Sequence, residues 1–600
     1  MEDKENPQWT HFLHQEQRRW STVINTEPIS AEIPLLKAEL TAAKQLMLAP
    51  LFQAGGGQIQ IKVEGFTIEW KWKQRKDSHK CSALDVRRGG WTWSVEDIGH
   101  GSESNELRSR VLKGKDEHVV WAVRGVGPYV CVIGERAFAL EVKKQLIYYR
   151  LVSWNAYTGT DYKVHYEEGD FRFNLELVGA GPEGAFLRRQ AGHLQDVFLI
   201  EKGGKLKRGE QESERSRKFV FGSKPGEYLV WTAESGVWQP SRALRQANWK
   251  LPDFHKAVPE ILDTRKRILV TKWYGVRTVW CISKRENART VWRGFGTITP
   301  DPWDGPWVRI AKAGCQAIWW NSEKDKRVQD TLSWCAETNG HFAVSRDGTR
   351  VPFVLIKPTL EKEPKGLLVI GYGAYGLPLP LGTARWIPLL QAGWALCLGL
   401  WRGGGDHTPE WEDTARVKGR GLVLEDAEVV VREAQRLTDV PAAHTVLFGR
   451  SAGGLWAGGL AAKFPQGNLA GGLYMEVPYL DVLRTVTNRE LPLTDIETEE
   501  FGLPEFRLSD FRQTLRWSPM DTLQAEGTPG IWQIVRTGIN DSQVFPYESA
   551  KWIVRSRGGE PTRPILLAIQ GGQGHFVTGT TAVEQEAEDL AVLLFFTRRR

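Results

Sequence analysis

The run FGRSAGGLW, Phe448 to Trp456, sets a serine among glycines. Glycines at such positions relieve crowding where a chain turns sharply from a strand into a helix. Gly449, Ser451 and Gly453 fit the G-x-S-x-G elbow, whose strained turn holds the Ser451 hydroxyl up at the carboxyl end of a sheet. HTVLF before the turn reads as a buried strand and LWAGGLAAKF after it as a helix. A serine becomes a useful nucleophile only when an imidazole accepts its proton and a carboxylate orients that imidazole. The elbow arrangement places these partners later in the chain, in the order Ser, Asp, His, on loops that follow later strands. IWQIVRTG is followed by INDSQV, which offers Asp541, and PILLAIQGG by QGHFV, which offers His575. The bland alternatives are a turn without chemistry, an aspartate that caps a turn and an ordinary loop histidine. Order and placement together favour the catalytic set. His407 and His444 lack that placement and read as surface or packing residues.

A set spread over more than a hundred residues needs a rigid frame. From VSRDGTRVPFVLI onward, short apolar strands (GLLVIGYG, WALCLGLW, HTVLFG, GGLYMEV, GIWQIVRTG, PILLAIQGG) alternate with helical segments. That alternation predicts an α/β domain, a doubly wound and mostly parallel sheet covered on both faces. Between about Ile61 and Cys335 the texture changes to short, aromatic-rich strands such as FTIEWKWKQR, HVVWAVRG and YLVWTAES, broken by Gly, Asn and Asp turns. At about 40 residues per four-stranded blade, this stretch would make a β-propeller of six or seven blades. Ahead of it, ISAEIPLLKAELTAAKQLMLAPL repeats apolar residues at helical spacing and predicts a helical arm.

The overall balance excludes several classes. A chain of 600 residues exceeds what one core can hold, so at least two domains are expected. The net charge of +7 is spread thinly apart from Arg598 to Arg600, with no basic stripe for nucleic acid. The six cysteines show neither metal-ligand spacing nor a disulfide framework. No stretch reads as a signal peptide or as about 18 apolar residues in a row, so no membrane association and a cytoplasmic location are expected. No metal or organic cofactor is implied.

The C-terminal motifs GYGAYG, RGGGD with a Trp soon after, GRSAGGL, EVPYLDVLRT, LPLTDIETEEFGLP and TGINDSQVFPYESAKWIVRSR resemble the prolyl oligopeptidase family, and within it most of all oligopeptidase B. The resemblance spans about Arg346 to His575 and is fainter over the N-terminal half. It implies an α/β-hydrolase domain at 341–600, a propeller at 61–340 and an arm at 1–60 packed on the hydrolase domain. It implies that Ser451 is the nucleophile, His575 the base and Asp541 its orienting acid, with Tyr372 and the Ala452 N–H as oxyanion donors. It also implies cleavage of short peptides after Arg or Lys, with Glu497, Glu499 and Tyr375 binding the substrate, by a monomer or homodimer. Thr494 and Glu497 also have capping-box spacing, so a helix start with solvated acids stays open for the glutamates.

Departures from that pattern matter. GLPLPLGTARW lacks the acidic residues that favour a second basic side chain in bacterial relatives, and Gln543 stands where prolyl-specific members use arginine. Asp406 replaces a glutamate. Phe576 replaces the glycine after the histidine and sets a bulky ring beside the base, where a shift of about 1 Å costs roughly 100-fold in rate. Two further readings remain: an acyl hydrolase or aminopeptidase without basic preference, and a propeller interaction protein with a silent hydrolase domain.

Overall fold

Eight strands in the C-terminal half pair into one sheet: β1 (Glu337–Val344), β2 (Arg350–Lys357), β3 (Gly366–Gly371), β4 (Trp394–Gly399), β5 (Thr445–Arg450), β6 (Gly472–Glu476), β7 (Trp532–Gly538) and β8 (Ile565–Gln570). The computed structural model describes residues 7–46, strand fragments within 63–79, most of 86–358, and 363–599 apart from 572, 573, 577 and 578. The spatial order is β1-β2-β4-β3-β5-β6-β7-β8. The β1–β2 and β2–β4 pairs are antiparallel and the others parallel. Strands β3 and β4 are buried at every residue, as expected of parallel strands covered on both faces. The order turns back at β3, which leaves a crevice beyond the carboxyl ends of the strands, where open α/β sheets place their sites.

Helices α1 (Pro7–Ile24), α2 (Ile29–Leu46), α3 (Arg420–Thr438), α4 (Gly453–Lys463), α5 (Pro546–Arg557) and α6 (Gly579–Arg598) supply the covering layers. Alternation along β3 divides the core. Leu367 and Val369 join Val423, Val430, Trp456 and Leu460 on the face covered by α3 and α4. Leu368 and Ile370 join Leu36, Leu40, Leu590 and Leu594 on the face covered by α2 and α6. The N-terminal helices thus complete the C-terminal core. Arg557 of α5 donates to both carboxylate oxygens of Glu16 in α1, at 2.8 and 2.7 Å, with both side chains buried. Removing one partner strands a buried charge. Glu16→Ala is accordingly expected to cost about 3 kcal/mol of stability, read as a lowered denaturation midpoint, whereas Glu16→Gln should cost less.

The N-terminal half is a β-propeller. Among the described residues from 86 to 329, it contains three four-stranded meanders, one three-stranded meander and a seven-stranded sheet. In that last sheet the long strand Arg289–Pro300 pairs on both sides and so serves two meanders. The propeller holds the hydrolase domain by polar contacts. Thr297 Oγ1 accepts the N–H groups of Leu381 and Gly382 at 3.0 Å each, and Thr383 Oγ1 accepts from Gly314 N–H at 2.8 Å. Lys218 Nζ donates to Glu412 at 2.7 Å. His407 packs against Trp273 and Tyr274 of the propeller, with ring centroids 4.5 and 4.1 Å away.

Among the described residues, no helix is long and apolar enough to cross a membrane. Cys315 is disulfide-bonded, which corrects the expectation drawn from the scattered cysteines. Pairing follows distance in the fold rather than spacing in the chain. Cys131, Cys281 and Cys397 are free, and Cys81 and Cys335 lie outside the described residues.

Candidate active site

Tyr372 follows β3, Ser451 follows β5, Asp541 lies just after β7 and His575 just after β8. Each therefore sits at the carboxyl end of a parallel strand. Ser451 takes φ of +54°, a left-handed conformation that costs a non-glycine residue about 1–3 kcal/mol and persists only where its surroundings enforce it. The enforcement is visible: Ser451 N–H donates to the Glu476 carbonyl at 2.9 Å, and the Ser451 carbonyl accepts from Gly454 at 2.8 Å and Tyr479 at 2.9 Å. A side chain at position 449 would place its Cβ 2.3 Å from the Gly453 carbonyl oxygen, so only glycine fits the turn.

His575 Nε2 lies 3.1 Å from Ser451 Oγ, and Nδ1 lies 2.8 Å from Asp541 Oδ2. The other Asp541 oxygen accepts the N–H groups of Gln543 and Val544 at 2.9 Å each. Those bonds fix the carboxylate as an acceptor, which puts the imidazole proton on Nδ1 and leaves the Nε2 lone pair facing the serine. Asp541 and His575 are 1% and 3% exposed. Phe576 does not displace the ring. It turns outward, 60% exposed, and meets the imidazole edge-on at a centroid distance of 5.1 Å.

Tyr372 lies close enough to Ser451 for the two side chains to interact, and burial pushes the phenol's pKa up to about 12, so it keeps its proton. Ala452 is buried immediately before α4, and among the described residues no backbone carbonyl takes its N–H. A phenol and a main-chain amide next to the nucleophile are thus available as donors.

The three glutamates of IETEEFG separate. Glu497 is 8% exposed and accepts a 2.7 Å hydrogen bond from the Tyr375 hydroxyl. Burial, with the nearby charges of Glu500 and Glu548, raises its pKa to about 8 against the lowering effect of that bond. Thr494 Oγ1 lies 2.8 Å from the carbonyls of both Thr485 and Asn488, which share its one proton, and Glu497 makes no side-chain cap for the short helix Thr498–Phe501. A solvated cap therefore does not describe Glu497. Glu499 is half-buried, and Arg172 of the propeller, held chiefly by Asp170, also feels its charge. Glu500 is a structural anchor that sequence reasoning passed over. It pairs with Arg420 and Arg416 and accepts the Tyr375 N–H at 2.8 Å. Those contacts hold Tyr375 at φ of +56°.

Asp406 is buried and accepts the Leu379 N–H at 3.0 Å. Burial raises its pKa to about 6 in spite of Arg277 and Lys272 of the propeller. Arg450 and Glu476 were also missed. Arg450 donates to the His575 carbonyl at 2.5 Å, and no periodicity or spacing marks it.

Residues 385–598 match the model of the prolyl oligopeptidase family. Protease 2 of Moraxella lacunata is 30% identical over 246 residues, which cover 39% of this chain and 34% of that protein. Dipeptidyl aminopeptidase BI of Pseudoxanthomonas mexicana is 31% identical over 243 residues, covering 39% of this chain and 32% of that protein. The matched segments thus span about a third of the curated relatives' own length. The structure of oligopeptidase B from Leishmania major superposes with a TM-score of 0.79 at 16% identity, covering 100% of this chain and 93% of that one. That likeness extends the shared fold through the propeller. On the family model and these alignments, residues 385–598 of the α/β-hydrolase domain are similar to the prolyl oligopeptidase family.

Proposed function

We propose that this chain is a serine oligopeptidase that cleaves short peptides on the carboxyl side of Arg or Lys. The observation that carries the reading is the unbroken path from Asp541 Oδ2 through His575 to Ser451 Oγ, with links of 2.8 and 3.1 Å. His575 Nε2 takes the hydroxyl proton as Ser451 Oγ bonds to the scissile carbonyl carbon. The resulting oxyanion is held by the Tyr372 hydroxyl and the Ala452 N–H. Collapse expels the amine, which receives the proton from His575. A water molecule, deprotonated by the same imidazole, then releases the acid and restores the serine.

Glu497 supports the basic preference because a buried carboxylate gains most from a cationic partner with matching donors. Tyr375 orients that carboxylate, Glu499 supplies a second negative charge, and the propeller restricts entry to short chains. Benzoyl-arginine amide, with alanine and proline amides in parallel, tests the specificity; equal turnover of the three would sink it. Tyr372→Phe is expected to lower kcat about 100-fold with KM little changed, since the phenol serves the oxyanion rather than the bound substrate.

The similarity to a dipeptidyl aminopeptidase favours one second reading. Such an enzyme needs a free substrate α-amine. Faster cleavage of unblocked than of benzoylated substrates would support it.

A further inference from the structure

We infer that Arg450 is the positioning residue that holds the imidazole of His575 against Ser451, a role that rests on the catalytic reading above. Arg450 is the last residue of β5 and is joined directly to Ser451. Its guanidinium donates to the main-chain carbonyl of His575 at 2.5 Å and lies over the Phe576 ring, 5.0 Å from the centroid. One side chain therefore grips both residues of the loop that must be placed. The grip has a fixed base. Arg450 Nε lies 3.6 Å from Glu476, and Glu476 accepts from Arg385 at 3.0 Å and from the Tyr474 hydroxyl at 2.6 Å. The Tyr474 hydroxyl also lies 2.7 Å from the buried Asp589 of α6, so its single proton is shared between the two carboxylates.

The need for such a device follows from Phe576. A large ring left 60% exposed beside the base gains by moving onto nearby apolar surface, and the imidazole would move with it. The cation above its face removes that incentive. Because the grip starts at the residue adjoining the nucleophile, the distance between Ser451 and His575 is set by a closed circuit of contacts rather than by a loop alone. Reactive groups must be held to about 0.5 Å, which a loop seldom achieves unaided.

The test compares wild type with Arg450→Ala, Arg450→Lys and Arg450→Ala/Phe576→Gly in the full chain. In Arg450→Ala, the rate of Ser451 labelling by a fluorophosphonate and kcat are expected to fall about 10- to 100-fold. KM for benzoyl-arginine amide should stay within about 2-fold, because the substrate pocket is untouched. Lysine should restore part of the loss by keeping one donor, and glycine at 576 should restore part by removing the ring. Labelling at the wild-type rate, a loss carried by KM, or a loss matched by a fall in thermal midpoint would overturn the inference. Amide hydrogen exchange at residues 574–576 keeps the two readings apart. Faster exchange there in Arg450→Ala is expected even if wild type never reacts with the probe, and unchanged exchange counts against Arg450 whatever the activity.

Discussion

Ser451→Ala is expected to abolish fluorophosphonate labelling and to lower hydrolysis of benzoyl-arginine amide by on the order of 10⁵- to 10⁶-fold. The chain should remain folded, because Ser451 contributes a strained φ and a small side chain rather than a packing group. Asp541→Asn should retain the shape of the site but lose about 10⁴-fold. An amide at that position can no longer accept on both sides, so the imidazole would present the wrong nitrogen to the serine. Circular dichroism and the thermal midpoint separate these losses from unfolding. Retention of turnover in Ser451→Ala would remove the proposed chemistry altogether.

The second large effect belongs to Glu497. Glu497→Gln is expected to lower kcat/KM for an arginyl amide on the order of 10³-fold, since an unpaired guanidinium in a buried pocket forfeits several kcal/mol. An alanyl amide should lose little. The pH profile gives an independent reading. With its pKa raised to about 8, Glu497 is mostly neutral at pH 7 and, under the proposed specificity, must ionise to hold a cation. Arginyl kcat/KM should therefore climb as pH rises toward 8, and the climb should vanish in Glu497→Gln. Linkage fixes the sign for stability as well. The folded chain holds this proton more tightly than the unfolded one, so the stabilising contribution is full below about pH 4.5 and is lost as pH rises through about 8. Urea titrations at pH 5 and pH 8 on wild type and the glutamine variant measure the difference.

The sheet and the turn that carries Ser451 were legible because they depend on local signals. Apolar strands of fixed length, glycines flanking Ser451 and the order Ser, Asp, His all survive in one dimension. The glutamate run was only half legible. Its third member, Glu500, looks the same as its neighbours in the chain, yet Arg416 and Arg420, some 80 residues upstream, claim it and leave Glu497 to face Tyr375. Arg450 was invisible for a similar reason, because its partners, His575 and Phe576, lie 125 residues or more away. Phe576 seemed a threat to the imidazole when read alone. Its outward turn depends on a guanidinium that no spacing rule connects to it.

The threonine contacts between the two halves have a practical corollary for anyone who would express the hydrolase half by itself. Thr297 takes two amides from the segment that continues from Tyr372 and Tyr375, while Thr383 reaches back to Gly314. The stretch that carries one oxyanion donor is thus partly moored to the other half. The halves are not modular: a subcloned C-terminal fragment would have to re-solvate those amides and would lose the moorings that shape its own entrance.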